Sequence, residues 1–184
     1  GKYYSSATIL FADFVGFTSK VERLEPGELL ATLNTFFQGF DKIVRKYKVR
    51  KIKTIGDAYM CVGGIPEKRI NHASEVCKVA LDMLTFVDAS NIQHEVLGKE
   101  RWELRIGIHS GALIAGFTGN SFDIWGDAVN IAARLESSSD PGKIHISEKT
   151  RDYLEGLGKL TPRGKITLKD KGNWSTFFLE KLNK

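Results

Sequence analysis

Thr8-Ile9-Leu10-Phe11-Ala12-Asp13-Phe14-Val15-Gly16-Phe17-Thr18 decides how the rest of the chain is read. Its first half is apolar and rich in residues that favour extended backbone, so it reads as a buried strand. Asp13 then interrupts the apolar run, and the turn Val15-Gly16-Phe17 follows, closed by Thr18-Ser19. A strand that delivers one acid to its C-terminal end, followed by a tight turn into a helix, suits a metal or a phosphate. The carboxylate supplies hard oxygen ligands, and the turn supplies backbone N–H groups that face an anion. The same residues also suit a plain cap, with Asp13 serving only the turn that follows it.

Outward from this stretch, Tyr3 to Phe11 forms the first strand. Pro26 opens a long helix whose apolar face is Leu29, Leu33, Phe36, Phe40, Ile43 and Tyr47, spaced by alternating fours and threes. Val49 to Ile55 and Ala58 to Val62 read as strands joined at Gly56-Asp57, which puts Asp57 at a hairpin tip. A second long helix runs from Ile70 to about Phe86, and the polar segment Asn91 to Lys99 follows it. Trp102 to His109 and Leu113 to Phe117 read as two strands joined through Ser110-Gly111. Asp127 to Glu136 is helical, with Asp127 placed as its cap. A short strand at Lys143 to Ile146, a short helix at Ser147 to Leu154 and strands at Ile166 to Lys169 and Thr176 to Leu179 complete the chain. This order predicts an α+β fold: a ferredoxin-like split βαβ core (βααββαβ) with a small C-terminal β extension. Its helices are expected on one face of a mostly antiparallel sheet.

The 184 residues fit one domain, 1–184, with a substantial core. The net charge of +5 favours a polyanionic partner only weakly. Cys61 and Cys77 lie in apolar segments without ligand spacing and read as reduced core cysteines in a reducing compartment, so a cytoplasmic location is expected, either free or as the cytosolic domain of a membrane-attached protein. No apolar run reaches the length of a membrane span, so no membrane contact is expected from this segment. The start at Gly1-Lys2, without Met, leads us to expect a domain excised from a larger regulated protein.

In a split βαβ core the first strand and the following hairpin can lie side by side, about 4.8 Å apart. That brings Asp13 and Asp57 to one edge. Two carboxylates so placed can bridge divalent ions for phosphoryl chemistry, Mg²⁺ or Mn²⁺ given the hard ligands. Asn130 and Arg134, at i and i+4, are neighbours on one helix face, directly after Phe122-Asp123-Ile124-Trp125-Gly126. His72, His94, His109 and His145 have no paired spacing and read as structural or exposed. A nucleic-acid module, suggested by the basic stretch from Lys42 to Lys53, lacks interleaved aromatic residues, and no nucleic-acid partner is expected.

Phe11 to Thr18, Lys51-Ile52-Lys53-Thr54-Ile55-Gly56-Asp57, Arg105-Ile106-Gly107-Ile108-His109-Ser110-Gly111, Phe122 to Gly126 with Asn130 and Arg134, and Lys169-Asp170-Lys171-Gly172 occur in the order of a class III nucleotidyl cyclase catalytic domain, which the chain resembles nearly end to end. The resemblance implies an adenylyl cyclase that converts ATP to 3′,5′-cyclic AMP and pyrophosphate, as a homodimer with each active site shared between chains. It implies two divalent ions held by Asp13 and Asp57, with the Phe14 carbonyl as a further ligand. The turn Phe14, Val15, Gly16, Phe17 and Thr18 would face the phosphates, with Arg105 as a further phosphate ligand. The partner would bring Lys53 and Asp123, with Ile124 beside it, to the base, Asn130 and Arg134 to the reacting centre, and Lys169 to the terminal phosphates. Adenine offers an N6–H donor to Asp123 and an N1 acceptor to Lys53, whereas guanine sets its O6 acceptor against Asp123. The rival implied readings are a guanylyl cyclase and a non-catalytic nucleotide-sensing domain of the same fold.

Overall fold

In the computed structural model, which describes residues 1–183, the elements follow in the order β1 (Lys2–Phe14), α1 (Phe17–Arg23), α2 (Pro26–Lys46), β2 (Arg50–Ile55), β3 (Ala58–Gly63), α3 (His72–Val96), β4 (Leu104–Thr118), β5 (Ser121–Trp125), α4 (Asp127–Ser137), β6 (Ile144–Ser147), α5 (Glu148–Tyr153), β7 (Gly158–Leu168) and β8 (Gly172–Leu182). Among the described residues one sheet of eight strands runs β2-β3-β1-β4-β6-β8-β7, with β5 pairing β4 beside that path. The β4–β6 pairing is parallel and the others are antiparallel. The expected split βαβ core is therefore present, and β6 to β8 form the C-terminal extension.

β1 serves two cores, because successive side chains of a strand point to opposite faces. Leu10, Ala12 and Phe14 pack with Phe36 and Phe40 of α2 and Val76 and Met83 of α3. Phe14 lies 4.9 Å from Phe36 and 5.1 Å from Trp102, ring centre to ring centre. Ala7 and Ile9 face the other way and pack with Ala128 and Ala132 of α4. The two long helices thus cover one face as expected, while α4 covers the other, which the sequence reading did not anticipate. α4 lies close against β4 because Gly107 has no side chain: a Cβ there would collide with the backbone of Ala132 and Glu136. His145 ties down the same helix, its Nδ1 donating to the Leu135 carbonyl at 2.8 Å.

Several boundaries differ from the sequence expectation. Ser110-Gly111 is no turn. The Ser110 hydroxyl is buried against Thr8 at 2.7 Å and Thr150 at 3.0 Å, and β4 continues through it for 15 residues. The polar segment after Phe86 stays helical to Val96. Asn91 bonds both the amide and the carbonyl of Trp102, at 2.9 and 2.7 Å, and so turns a polar residue inward. Val44 rather than Ile43 continues the buried stripe of α2. Asp127 makes no capping bond: Gly126 precedes α4, and Asp127 instead pairs with Lys171 at 2.9 Å.

The histidines at 72, 109 and 145 are buried and structural, as expected. His72 Nδ1 bonds Thr8 at 2.6 Å, and His109 Nδ1 bonds Ser147 at 2.7 Å. Burial pushes the His109 imidazole down from 6.5 to about 4. A group that resists protonation in the folded state contributes stability above its unfolded pKa and loses it as the pH falls. Urea denaturation should therefore show His109→Gln losing less stability than wild type between pH 6.5 and about 4. Equal losses in the two proteins would refute the assignment. Gly107→Val should cost on the order of 3 kcal/mol by overpacking α4 against β4. An unchanged urea midpoint would show that α4 is free to lift.

Candidate active site

The acid pair forms where the sequence places it. Phe14 turns into the aromatic core, so Asp13, one residue earlier, points to the α4 face. The β1–β3 pairing, with Ala12 opposite Tyr59, brings the β2–β3 turn alongside. Gly56, at φ 59°, makes that turn. Asp57 follows it, and its Oδ2 accepts from the Phe14 amide at 3.0 Å. Burial pushes the Asp57 carboxyl up, the Phe14 amide pulls it down, and the charge of Asp13 adds to the upward push.

Arg105 is the register partner of Asp13 across β4. Its Nε and Nη2 donate to the two Asp13 oxygens, each at 3.3 Å. Nη1 donates to the Ser137 carbonyl at 3.3 Å, and Nη2 lies 3.5 Å from Glu136 Oε2. Glu136 was not singled out from the sequence. It is buried, its Oε2 has no hydrogen-bond donor among the described residues, and burial together with Asp13 pushes its carboxyl up to about 9. The signal was available: Ala128, Ala132 and Glu136 step by four along one helix stripe, so a charge stands where an apolar residue is expected.

Two carboxylates with hard oxygens fit a divalent ion of the Mg²⁺ type, which takes one or two protein carboxylates and completes its shell with water and substrate phosphate. Among the described residues no group of three or more His, Cys, Asp or Glu side chains has metal-holding geometry. In the turn after β1 the Val15 amide donates to the Glu103 carbonyl at 2.8 Å, so it is not the free donor expected. Gly16 precedes α1 at φ 69°, and Phe17 and Thr18 open that helix, where amides lack intrahelical acceptors.

A second group lies at the β2–β5 contact. Lys53 Nζ meets Asp123 Oδ2 at 2.7 Å, with the side chains 43% and 19% exposed. The other Asp123 oxygen accepts from the Ile124 amide at 2.8 Å. The Ile124 amide is thus committed to Asp123, and its side chain is buried in the core beneath α4. Arg50 stacks 3.9 Å over the Phe122 ring and holds β5 against β2.

The third group faces solvent from α4. Asn130, Arg134 and Lys169 line a cavity of 670 Å³ between that helix and the β7–β8 turn. At 3.6 residues per turn Glu136 lies about 120° around the helix from Asn130 and about 160° from Arg134, so it faces the sheet while they face solvent. Among the described residues no hydrogen bond or ion pair between side chains joins the three groups. One chain therefore presents an acid cluster, a donor–acceptor pair and an Asn–Arg–Lys group as separate surfaces.

Comparisons with known proteins identify the family. The adenylate and guanylate cyclase catalytic domain family matches residues 1–181. The receptor-type guanylate cyclase gcy-28 of Caenorhabditis elegans is 41% identical over 181 residues, covering 96% of this chain and 14% of its own length. The crystal structure of the guanylate cyclase domain of RhGC from Catenaria anguillulae in complex with GTP is 34% identical, covers 100% of both chains and has a TM-score of 0.89. That of the adenylyl cyclase CyaB from P. aeruginosa is 26% identical, covers 100% of this chain and 98% of its own, with a TM-score of 0.93. Domains of this family bind nucleotide, use divalent metal ions and work as dimers. On the family match and these identities, the chain belongs to the adenylate and guanylate cyclase catalytic domains, the class III nucleotidyl cyclases.

Proposed function

We propose that this domain is an adenylyl cyclase that converts ATP to 3′,5′-cyclic AMP and pyrophosphate at two sites shared across a homodimer. The observation that carries the base preference is the Lys53–Asp123 pair at 2.7 Å. It sets a fixed acceptor beside a fixed donor. With Asp123 at the 6-position of the purine, the adenine amino group donates to it and N1 accepts from Lys53. Guanine would set its O6 against the Asp123 carboxylate, and two acceptors left facing each other, once the bound nucleotide and the partner chain cover them, discriminate by roughly 10⁴-fold.

Asp13 and Asp57 of one chain would hold divalent ions, which when bound lower the pKa of the ribose 3′-hydroxyl and neutralise the triphosphate. The partner's α4 faces them. Asn130 holds the ribose so that its 3′-oxygen is in line with the α-phosphorus. The new bond forms between that oxygen and phosphorus while the bond to the bridging oxygen breaks, and pyrophosphate leaves. Arg134, carried on a packed helix, stabilises the charge that develops on the phosphoryl oxygens. Arg105, Lys169 and the amides of the turn from Gly16 to Thr18 are assigned to the phosphates. This division explains why the acid and Asn–Arg half-sites are separate in one chain. The chain spans 14% of its C. elegans relative, and we propose regulatory input from segments outside it. Among the described residues no helix is long and apolar enough to cross a membrane.

GTP turnover is the second reading, favoured by the guanylate cyclases among the relatives. Assays with Mg²⁺ and Mn²⁺ should show ATP consumed faster than GTP, with a specific activity that rises with protein concentration as dimers form. Faster turnover of GTP would sink the adenylyl reading. Asp57→Asn and Arg134→Ala should each be inactive and folded. An equal mixture should recover about a quarter of wild-type activity, because half the dimers are mixed and each has one intact site of two. No recovery would count against a shared site.

A further inference from the structure

We propose that Glu136 is a positioning residue: it takes over the Arg105 guanidinium when Asp13 turns to a divalent ion. The inference rests on the reading of Asp13 as a metal ligand and goes beyond it. Arg105 bonds both oxygens of Asp13 at long range and only approaches the Glu136 carboxyl. Its contacts to Asp13 are 3.3 Å and its approach to Glu136 is 3.5 Å, all longer than the roughly 2.8 Å of a tight guanidinium–carboxylate bond. Asp13 cannot give the same lone pairs to a cation and to Arg105, and a cation beside it repels the guanidinium.

Glu136 offers Arg105 a place to go. Glu136 Oε2 is buried and has no hydrogen-bond donor among the described residues, an arrangement that costs free energy unless a donor arrives. A shift of roughly 0.7 Å brings Nη2 to bonding distance of that oxygen, while Nη1 keeps its hold on the Ser137 carbonyl. The Glu136 backbone cannot retreat, because Gly107 of β4 lies directly under it. Glu136 thereby frees Asp13 and keeps a positive charge at the rim of the acid half-site, where a phosphate oxygen arrives. Without it, Arg105 stays on Asp13 and competes with the metal.

The test is Mn²⁺ binding to the whole domain without nucleotide, followed by electron paramagnetic resonance of free Mn²⁺. Wild type, Glu136→Gln, Arg105→Ala and the double variant form the cycle, and Asp13→Asn is the control. Glu136→Gln should weaken Mn²⁺ binding by about tenfold, the lower range for a residue that orients a metal ligand. Glu136→Asp, which keeps the carboxylate, should lose less. In the Arg105→Ala background, adding Glu136→Gln should change affinity by less than about twofold, since Asp13 is then already free. A tenfold loss that persists in that background would make Glu136 a direct ligand or a bare charge and overturn the proposal. So would wild-type affinity in a Glu136→Gln protein whose melting curve is unchanged. Wild-type Mn²⁺ affinity in Asp13→Asn, or no binding to wild type, would instead overturn the metal reading on which the proposal stands.

Discussion

Two adjacent side chains at the end of β1 must point opposite ways, and the rest of the molecule follows from that constraint. Phe14 enters the aromatic cluster with Phe36 and Trp102, and the pleat then sends Asp13 to the other face. A slip of one residue would bury the acid among aromatic rings and expose the phenylalanine. Packing of large rings is worth several kcal/mol per side chain, far more than any single contact the acid makes. The aromatic core therefore fixes the position of Asp13, and the β1–β3 register then fixes that of Asp57.

The electrostatics of the two polar groups differ in kind. Beside Arg105, Asp13 is bonded to the guanidinium and Glu136 only approaches it, with Asp57 near Asp13, and burial pushes the Asp57 and Glu136 carboxyls up. Such a cluster is short of positive charge, which is the condition under which it attracts cations. The Lys53–Asp123 pair is different. It is substantially exposed, and exposed pairs contribute about 0–1 kcal/mol to stability. Its close geometry, with one Asp123 oxygen held by the Ile124 amide, is hard to explain as a stabilising device and easy to explain as a recognition surface.

The alternation of β1, the stripe of α2 and the Gly56-Asp57 turn were legible because each is a local periodicity or a local φ requirement. The acid pair was legible with them, since it needs only two strand ends and one pairing. What escaped was set by tertiary partners. Ser110-Gly111 looks like a turn until Thr8 and Thr150 bond the hydroxyl and α4 packs over the glycine. Asn91 looks like a solvated residue until it meets the Trp102 backbone. The strand β5 was hidden in a stretch read for its chemistry, although Gly119-Asn120 between two phenylalanines is a hairpin signal. Glu136 was given no role of its own, and its place in the alanine stripe went unnoticed.

α4 has a mechanical consequence in a dimer whose sites are shared. If the sites are shared as proposed, one short rigid rod carries Asn130 and Arg134 toward the neighbouring chain on one face and Glu136 toward its own on another, with Glu136 about 9 Å beyond Asn130 but only about 3 Å beyond Arg134 along the axis. Rolling or tilting the rod to fit a nucleotide on its outer face would shift the support of Arg105 on its inner face. The twin pockets are then geared to each other by leverage through a single helix, with no longer route of communication required.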